Sequence, residues 1–134
     1  MSRTGPSLAR VAAAARRART RAHAPYSRFK VGAAVLASGA IHAGCNVENA
    51  SYGLTTCAER NAVAAAVLAG ARQLDAVVVV SGTTPPTPPC GACLQVLAEF
   101  GAADLPIILL GGKDAPVATT LGALLPRAFS KAFL

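Results

Sequence analysis

The chain has 134 residues, enough to bury one core and too few for two independent ones, so residues 1–134 are read as a single domain. Hydrophobic residues make up 53% of it and charged ones 14%, with no Trp, so the core must be built from Val, Leu, Ile and Ala, and a chain this apolar is expected to share surface in an oligomer. The formal charge of +7 invites a nucleic-acid partner, yet eight of the thirteen basic residues (Arg3, Arg10, Arg16, Arg17, Arg19, Arg21, Arg28 and Lys30) precede Val31, and the remainder of the chain is nearly balanced.

From Leu8 onward, Leu8, Val11, Ala15, Ala18 and Ala22 keep helical spacing while Arg10, Arg17 and Arg21 fall elsewhere, which predicts a first helix with a solvated basic face. An acid-free, Arg-rich start also resembles an organelle transit peptide, but the helical spacing favours the helix, and the apolar region of a secretory signal is missing. Residues 31–37 and 40–46, separated by Ser38-Gly39, read as a β-hairpin. A polar loop over 47–56 leads into an Ala-rich helix over 57–68, stopped by Gly70. Residues 75–80 form a β-branched strand. Residues 82–89 hold four prolines and are expected to be irregular, whereas 90–100 carries Leu94, Val96 and Leu97 at helical spacing and ends at Gly101. Two short strands, 106–110 and 116–120, precede a terminal helix or ordered extension over 121–133. This alternation predicts an α/β fold of three layers, a mixed five-stranded sheet with helices on both faces.

Four cysteines without a secretory signal argue for reduced thiols in the cytoplasm and for metal binding over disulfides. No apolar run is long enough to span a membrane, so a soluble protein without a membrane partner is expected. Cys90 and Cys93, at i and i+3, face the same way on a helix, which Pro89 is suited to open. Cys57 stands at the start of the other helix, so two helix N-termini can favour thiolate at one place. Three soft ligands suit Zn2+, and three protein ligands with one open position is the catalytic arrangement. Cys45, among apolar residues of a strand, reads as a small buried hydrophobe, with a fourth ligand of a closed structural site as the alternative. Spacing alone also leaves a redox Cys-x-x-C open. Glu59, two residues after Cys57, points away from that ligand and could reach a metal-bound water as general base; a surface glutamate favoured by the helix dipole is the plainer reading.

Ala24-Pro25-Tyr26-Ser27, Phe29, Val31-Gly32-Ala33-Ala34, Gly44-Cys45-Asn46-Val47-Glu48-Asn49, Cys57-Ala58-Glu59-Arg60 and Pro89-Cys90-Gly91-Ala92-Cys93-Leu94-Gln95-Val96-Leu97 resemble, in order, the motifs of the small homotetrameric cytidine deaminases. The resemblance runs from about Ala24 to Phe129. It implies zinc on Cys57, Cys90 and Cys93, and Glu59 moving protons while cytidine or deoxycytidine is hydrolysed to uridine or deoxyuridine and ammonia in pyrimidine salvage. It further implies that Arg60 hydrogen-bonds the ligand sulfurs, Asn46 and Glu48 hold the ribose hydroxyls, Phe29 packs by the pyrimidine and the Ala58 backbone binds the base. Tyr52 and Phe129 match aromatics that reach a neighbouring subunit's site. Competing readings are a deaminase of nucleic acid, a deaminase of an aminonucleoside antibiotic and a non-catalytic zinc module. The Cys at position 57, where nucleic-acid deaminases usually carry His, the Asn46/Glu48 pair and Glu59 weigh against these three in turn, so nucleic acid is not expected as a partner.

Overall fold

The computed structural model describes residues 5–134; Arg3 of the basic segment lies outside them. Helix α1 (Leu8–Arg19) is followed by strands β1 (Gly32–Ala37) and β2 (Ala40–Cys45), helix α2 (Ala58–Leu68), strand β3 (Ala76–Val80), helix α3 (Gly91–Phe100), strands β4 (Pro106–Leu110) and β5 (Val117–Thr120), and a short helix α4 (Leu121–Leu124). Ser7 caps α1, its hydroxyl accepting from the Arg10 amide at 3.3 Å, and the basic last turn of Arg16, Arg17 and Arg19 suits the negative end of the helix dipole.

The sheet order is β2-β1-β3-β4-β5, with β3 and β4 parallel and the other neighbours antiparallel, which is the mixed five-stranded sheet read from the sequence. Ser38 (φ 52°) and Gly39 (φ 75°) both adopt the left-handed region, the requirement of the tight two-residue turn that joins β1 to β2. Alternate residues along the strands face opposite layers. Ala33, Val35, Val77, Val79, Ile107 and Leu109 pack with Ala62, Val63, Ala66, Leu94 and Leu97 of α2 and α3. Ala34, Leu36, Val78, Val80 and Leu110 pack with Val11, Ala14 and Ala15 of α1. β1 and β3 are therefore buried along their whole length, as strands covered on both faces must be.

Two boundaries differ from the sequence reading. The first helix ends at Arg19 although Ala22 continues its apolar spacing, because the Thr20 hydroxyl donates to the Arg17 carbonyl at 2.6 Å and the chain turns so that His23 bridges Val47. The polar loop is not irregular throughout: Val47 pairs with Thr56 through bonds of 2.9 and 3.0 Å, enclosing a 3₁₀ turn at Tyr52–Leu54. The tail forms α4 and a 3₁₀ turn at Lys131–Phe133.

Gly44 fixes how closely α2 approaches the sheet. A Cβ there would stand 2.5 Å from the Ala62 amide nitrogen and 2.7 Å from the Ala58 carbonyl oxygen, both backbone atoms of α2. Gly44→Ala is expected to push α2 off β2 and to cost at least about 2 kcal/mol, the range of overpacking a filled core. A urea midpoint lowered with unchanged slope is the predicted reading; a midpoint equal to the parent's would show that the approach is looser.

Candidate active site

The site forms where the end of β2 meets the start of α2. Beyond Cys45 the strand direction continues through residues 46–48: the His23 amide donates to the Asn46 carbonyl at 3.0 Å, and the Glu48 amide donates to the His23 carbonyl at 2.8 Å. The Asn61 side chain, one turn into α2, donates to the Cys45 carbonyl at 2.8 Å and to the Thr56 hydroxyl at 3.1 Å. One amide thus ties the first turn of the helix to the strand that carries Asn46 and Glu48.

Cys57 is the N-cap of α2 and Cys90 the N-cap of α3, and neither side chain makes a capping bond, so both sulfurs are free to face one another. Cys93 lies in the first turn of α3. The three sulfurs lie within 4.8 Å of one another, with Cys90 and Cys93 3.5 Å apart. Sulfurs around a tetrahedral zinc at ordinary bond lengths would stand about 3.8 Å apart, so the donor set and its spacing fit zinc. Cys45 is half-buried in β2 and is not part of the cluster. Pro89 stands just before the N-cap and not inside the first turn, so it shapes the entry to α3 without being its first helical residue.

Three thiols this close cannot all ionise without a cation. In the metal-free chain a hydrogen bond from the Cys93 thiol, helped by the Arg60 guanidinium, lowers Cys57 to about 5. Cys93, which donates that bond and is buried, is pushed far above the ordinary thiol range. Arg60 Nη2 donates to Cys57 Sγ at 3.3 Å, while its Nε is buried without a partner. An unused buried donor beside the sulfurs suits a cluster that carries more negative charge than one thiolate.

Glu59, the second residue of α2, is 6% exposed, and burial raises its carboxyl above the ordinary range, with the Cys57 thiolate adding to the effect. It borders a cavity of about 240 Å³ that Phe29, Asn46, Glu48, Cys57, Ala58 and Cys90 also line. The structure therefore brings most of the sequence-predicted residues to one cavity. Asn46 is anchored to the backbone on both sides, its Oδ1 accepting from the Val31 amide at 2.9 Å and its Nδ2 donating to the Phe29 carbonyl at 2.7 Å, which leaves one lone pair and one N–H for another partner. Glu48 Oε1 accepts from the Tyr26 and Ser27 amides at 2.9 and 3.2 Å, and the Ser27 hydroxyl donates to Oε2. That hydroxyl, more than the amides, holds the Glu48 carboxyl below its ordinary range.

Tyr52 and Phe129 are not brought to this cavity. Tyr52 is 75% exposed and tilts against Tyr26 with ring centres 5.9 Å apart; Phe129 is 61% exposed and stacks on Phe133 at 6.0 Å, its carbonyl accepting from Gln95 Nε2 at 2.8 Å. Ser81, directly after β3, and Thr87 and Pro88 of the proline-rich segment also line the cavity and were not expected there from the sequence. The signal available was their position between a buried strand and Cys90.

Helices delivering three thiolates and a buried carboxylate to the end of a mixed sheet define a zinc hydrolase site of the deaminase type. The comparisons agree. Residues 7–109 match the family model of the cytidine and deoxycytidylate deaminase zinc-binding region. The chain is 49% identical over 120 residues to a cytidine deaminase of Sporosarcina psychrophila, across 89% of this chain and 88% of the relative. Among solved structures, cytidine deaminase from Burkholderia pseudomallei superposes with a TM-score of 0.87 at 46% identity, over 92% of this chain and 100% of that one. Cytidine deaminase from Mycobacterium tuberculosis gives 0.80 at 44% identity, over 92% and 98%. The chain belongs to the cytidine and deoxycytidylate deaminase family.

Metal-free protein treated with iodoacetamide at pH 6.5 should be alkylated at Cys57 ahead of Cys45 and Cys93, since Cys57 is a thiolate above about 5. One equivalent of zinc should block that reaction. Alkylation of Cys57 only in alkaline solution would contradict the arrangement.

Proposed function

We propose that the chain hydrolyses cytidine and deoxycytidine to uridine and deoxyuridine with release of ammonia, a step of pyrimidine salvage. The observation that carries this reading is Glu59, a buried carboxylate in a cavity walled by ligand sulfurs at two helix N-termini. Cys57, Cys90 and Cys93 would hold zinc, which supplies Lewis acidity toward a water molecule. Glu59 takes the proton of the attacking water and gives it to N3 of the pyrimidine as the new bond forms at C4. The same carboxylate then takes the proton of the new C4 hydroxyl and gives it to the amine, so that the C4–N bond breaks, C4=O forms and ammonia leaves. A carboxyl raised by burial is suited to both directions, because it holds and releases a proton nearer to neutrality.

Phe29 packs against the base, the Ala58 backbone at the helix start bonds it, and Asn46 and Glu48 take the ribose hydroxyls. The cavity, at about 240 Å³, is small beside those that hold drug-sized ligands, a scale suited to one nucleoside. The described residues that line it include no Arg or Lys, which favours a free nucleoside over a phosphate-bearing strand. Tyr52 and Phe129, exposed in the isolated chain, would complete the site of a neighbouring subunit in a homotetramer. Three thiols that must stay reduced suit the cytoplasm, and no described helix is long and apolar enough to cross a membrane.

Glu59→Ala should keep one zinc per chain, because the ligands remain, and lose deamination of cytidine by at least about a thousandfold, within the range of proton-transfer catalysis. Loss of zinc together with activity, or activity within a few-fold of the parent, would remove Glu59 from this role.

A further inference from the structure

Ser27 takes no part in the reading above, yet its hydroxyl bonds two residues that line the cavity, Glu48 and Phe29. It donates to Glu48 Oε2 and accepts from the Phe29 amide at 3.0 Å, so both its donor and an acceptor position are used. Arg28, between Ser27 and Phe29, sits at φ 60°, a left-handed conformation that non-glycine residues adopt only when held there. Two bonds hold it: the Arg28 amide donates to the Ala24 carbonyl at 2.9 Å, and the Phe29 amide reaches back to Ser27 Oγ. The Phe29 carbonyl in turn accepts from Asn46. Glu48, Ser27, the Phe29 backbone and Asn46 therefore form one connected chain of hydrogen bonds that fixes the Glu48 carboxylate and the backbone carrying the Phe29 ring.

The geometry points to Ser27 as a positioning residue that sets substrate affinity by orienting Glu48 and Phe29 together, without touching the substrate. The inference rests on the cytidine deaminase reading, in which those two residues hold the nucleoside. Without the hydroxyl, Glu48 keeps its backbone bonds on Oε1 but is free to swing about them, and the Phe29 amide loses its acceptor. Ser27 is exposed, so its truncation leaves no buried void. A residue that merely shapes the turn would alter stability and would act regardless of what stands at position 48.

Steady-state kinetics of the zinc-loaded protein test this. Ser27→Ala should raise the KM for cytidine about tenfold, the worth of one charge-assisted hydrogen bond, while kcat stays within about twofold and zinc content is unchanged. Ser27→Thr, which keeps the hydroxyl, should return KM to within about threefold of the parent. Added to Glu48→Ala, Ser27→Ala should raise KM by no more than about twofold further, because most of its action passes through the carboxylate. An unchanged KM in Ser27→Ala, a loss confined to kcat, or the full tenfold effect persisting beside Glu48→Ala would overturn the assignment. A parent protein that is zinc-loaded yet inactive on cytidine would instead overturn the function on which it rests.

Discussion

Three sulfurs within 4.8 Å of one another are the constraint on which the rest of this structure turns. Unit charges about 4 Å apart repel by about 4 kcal/mol even at an effective dielectric constant near 20, so three thiolates face about 12 kcal/mol of repulsion. The helix N-termini behind Cys57 and Cys90 return about 1 kcal/mol each, and a charged hydrogen bond of the kind Arg60 makes returns about 1.5–3 kcal/mol. These fall well short. The thiols must share protons or receive a cation; the Cys93 thiol and Arg60 pull the Cys57 pKa down, and the bond to Cys57 together with burial pushes the Cys93 pKa up.

A dication resolves the repulsion but leaves three thiolates in excess by one charge, which by itself makes a bound water harder to deprotonate. The helix ends and Arg60 draw charge from the sulfurs, and the unpaired Arg60 Nε stands beside them as a further donor. Helices therefore carry the metal chemistry. The opposite wall of the cavity is built differently, on the extension of β2, where Asn46 and Glu48 are anchored to neighbouring backbone and the Tyr26-Ser27 turn. Gly44 and Asn61 join the halves: the glycine lets α2 lie on the strand, and the amide bonds the helix to the strand end. The central strands β1 and β3, buried on both faces, support the whole site.

The parts legible in the sequence were those that local spacing determines. Cys57 two residues before Glu59, and Cys90 three before Cys93, are helix-start patterns, and both helices begin within a residue of the expected place. The β-branched run at 76–80 and the Ser38-Gly39 turn are likewise local. Tertiary contacts decided the rest. Ala22 keeps the helical period but falls outside α1, because His23 is drawn into a bridge with Val47, far along the chain. Thr87 and Pro88 reach the cavity through the path of a proline-rich segment that no periodicity describes. The cage of Ser27 around Glu48 joins residues 21 apart and left no mark in either segment's pattern. Tyr52 and Phe129 were recognisable only by family resemblance, and the single chain leaves them at its surface.

Zinc added stepwise to metal-free protein, with ammonia release recorded from cytidine, deoxycytidine, adenosine and single-stranded DNA, ties the sulfur cluster to the chemistry in one measurement. Release from the two cytosine nucleosides alone, rising in proportion to zinc until one ion is bound per chain, is the predicted result. Release only from DNA, or a rate on cytidine that does not depend on zinc, would contradict it.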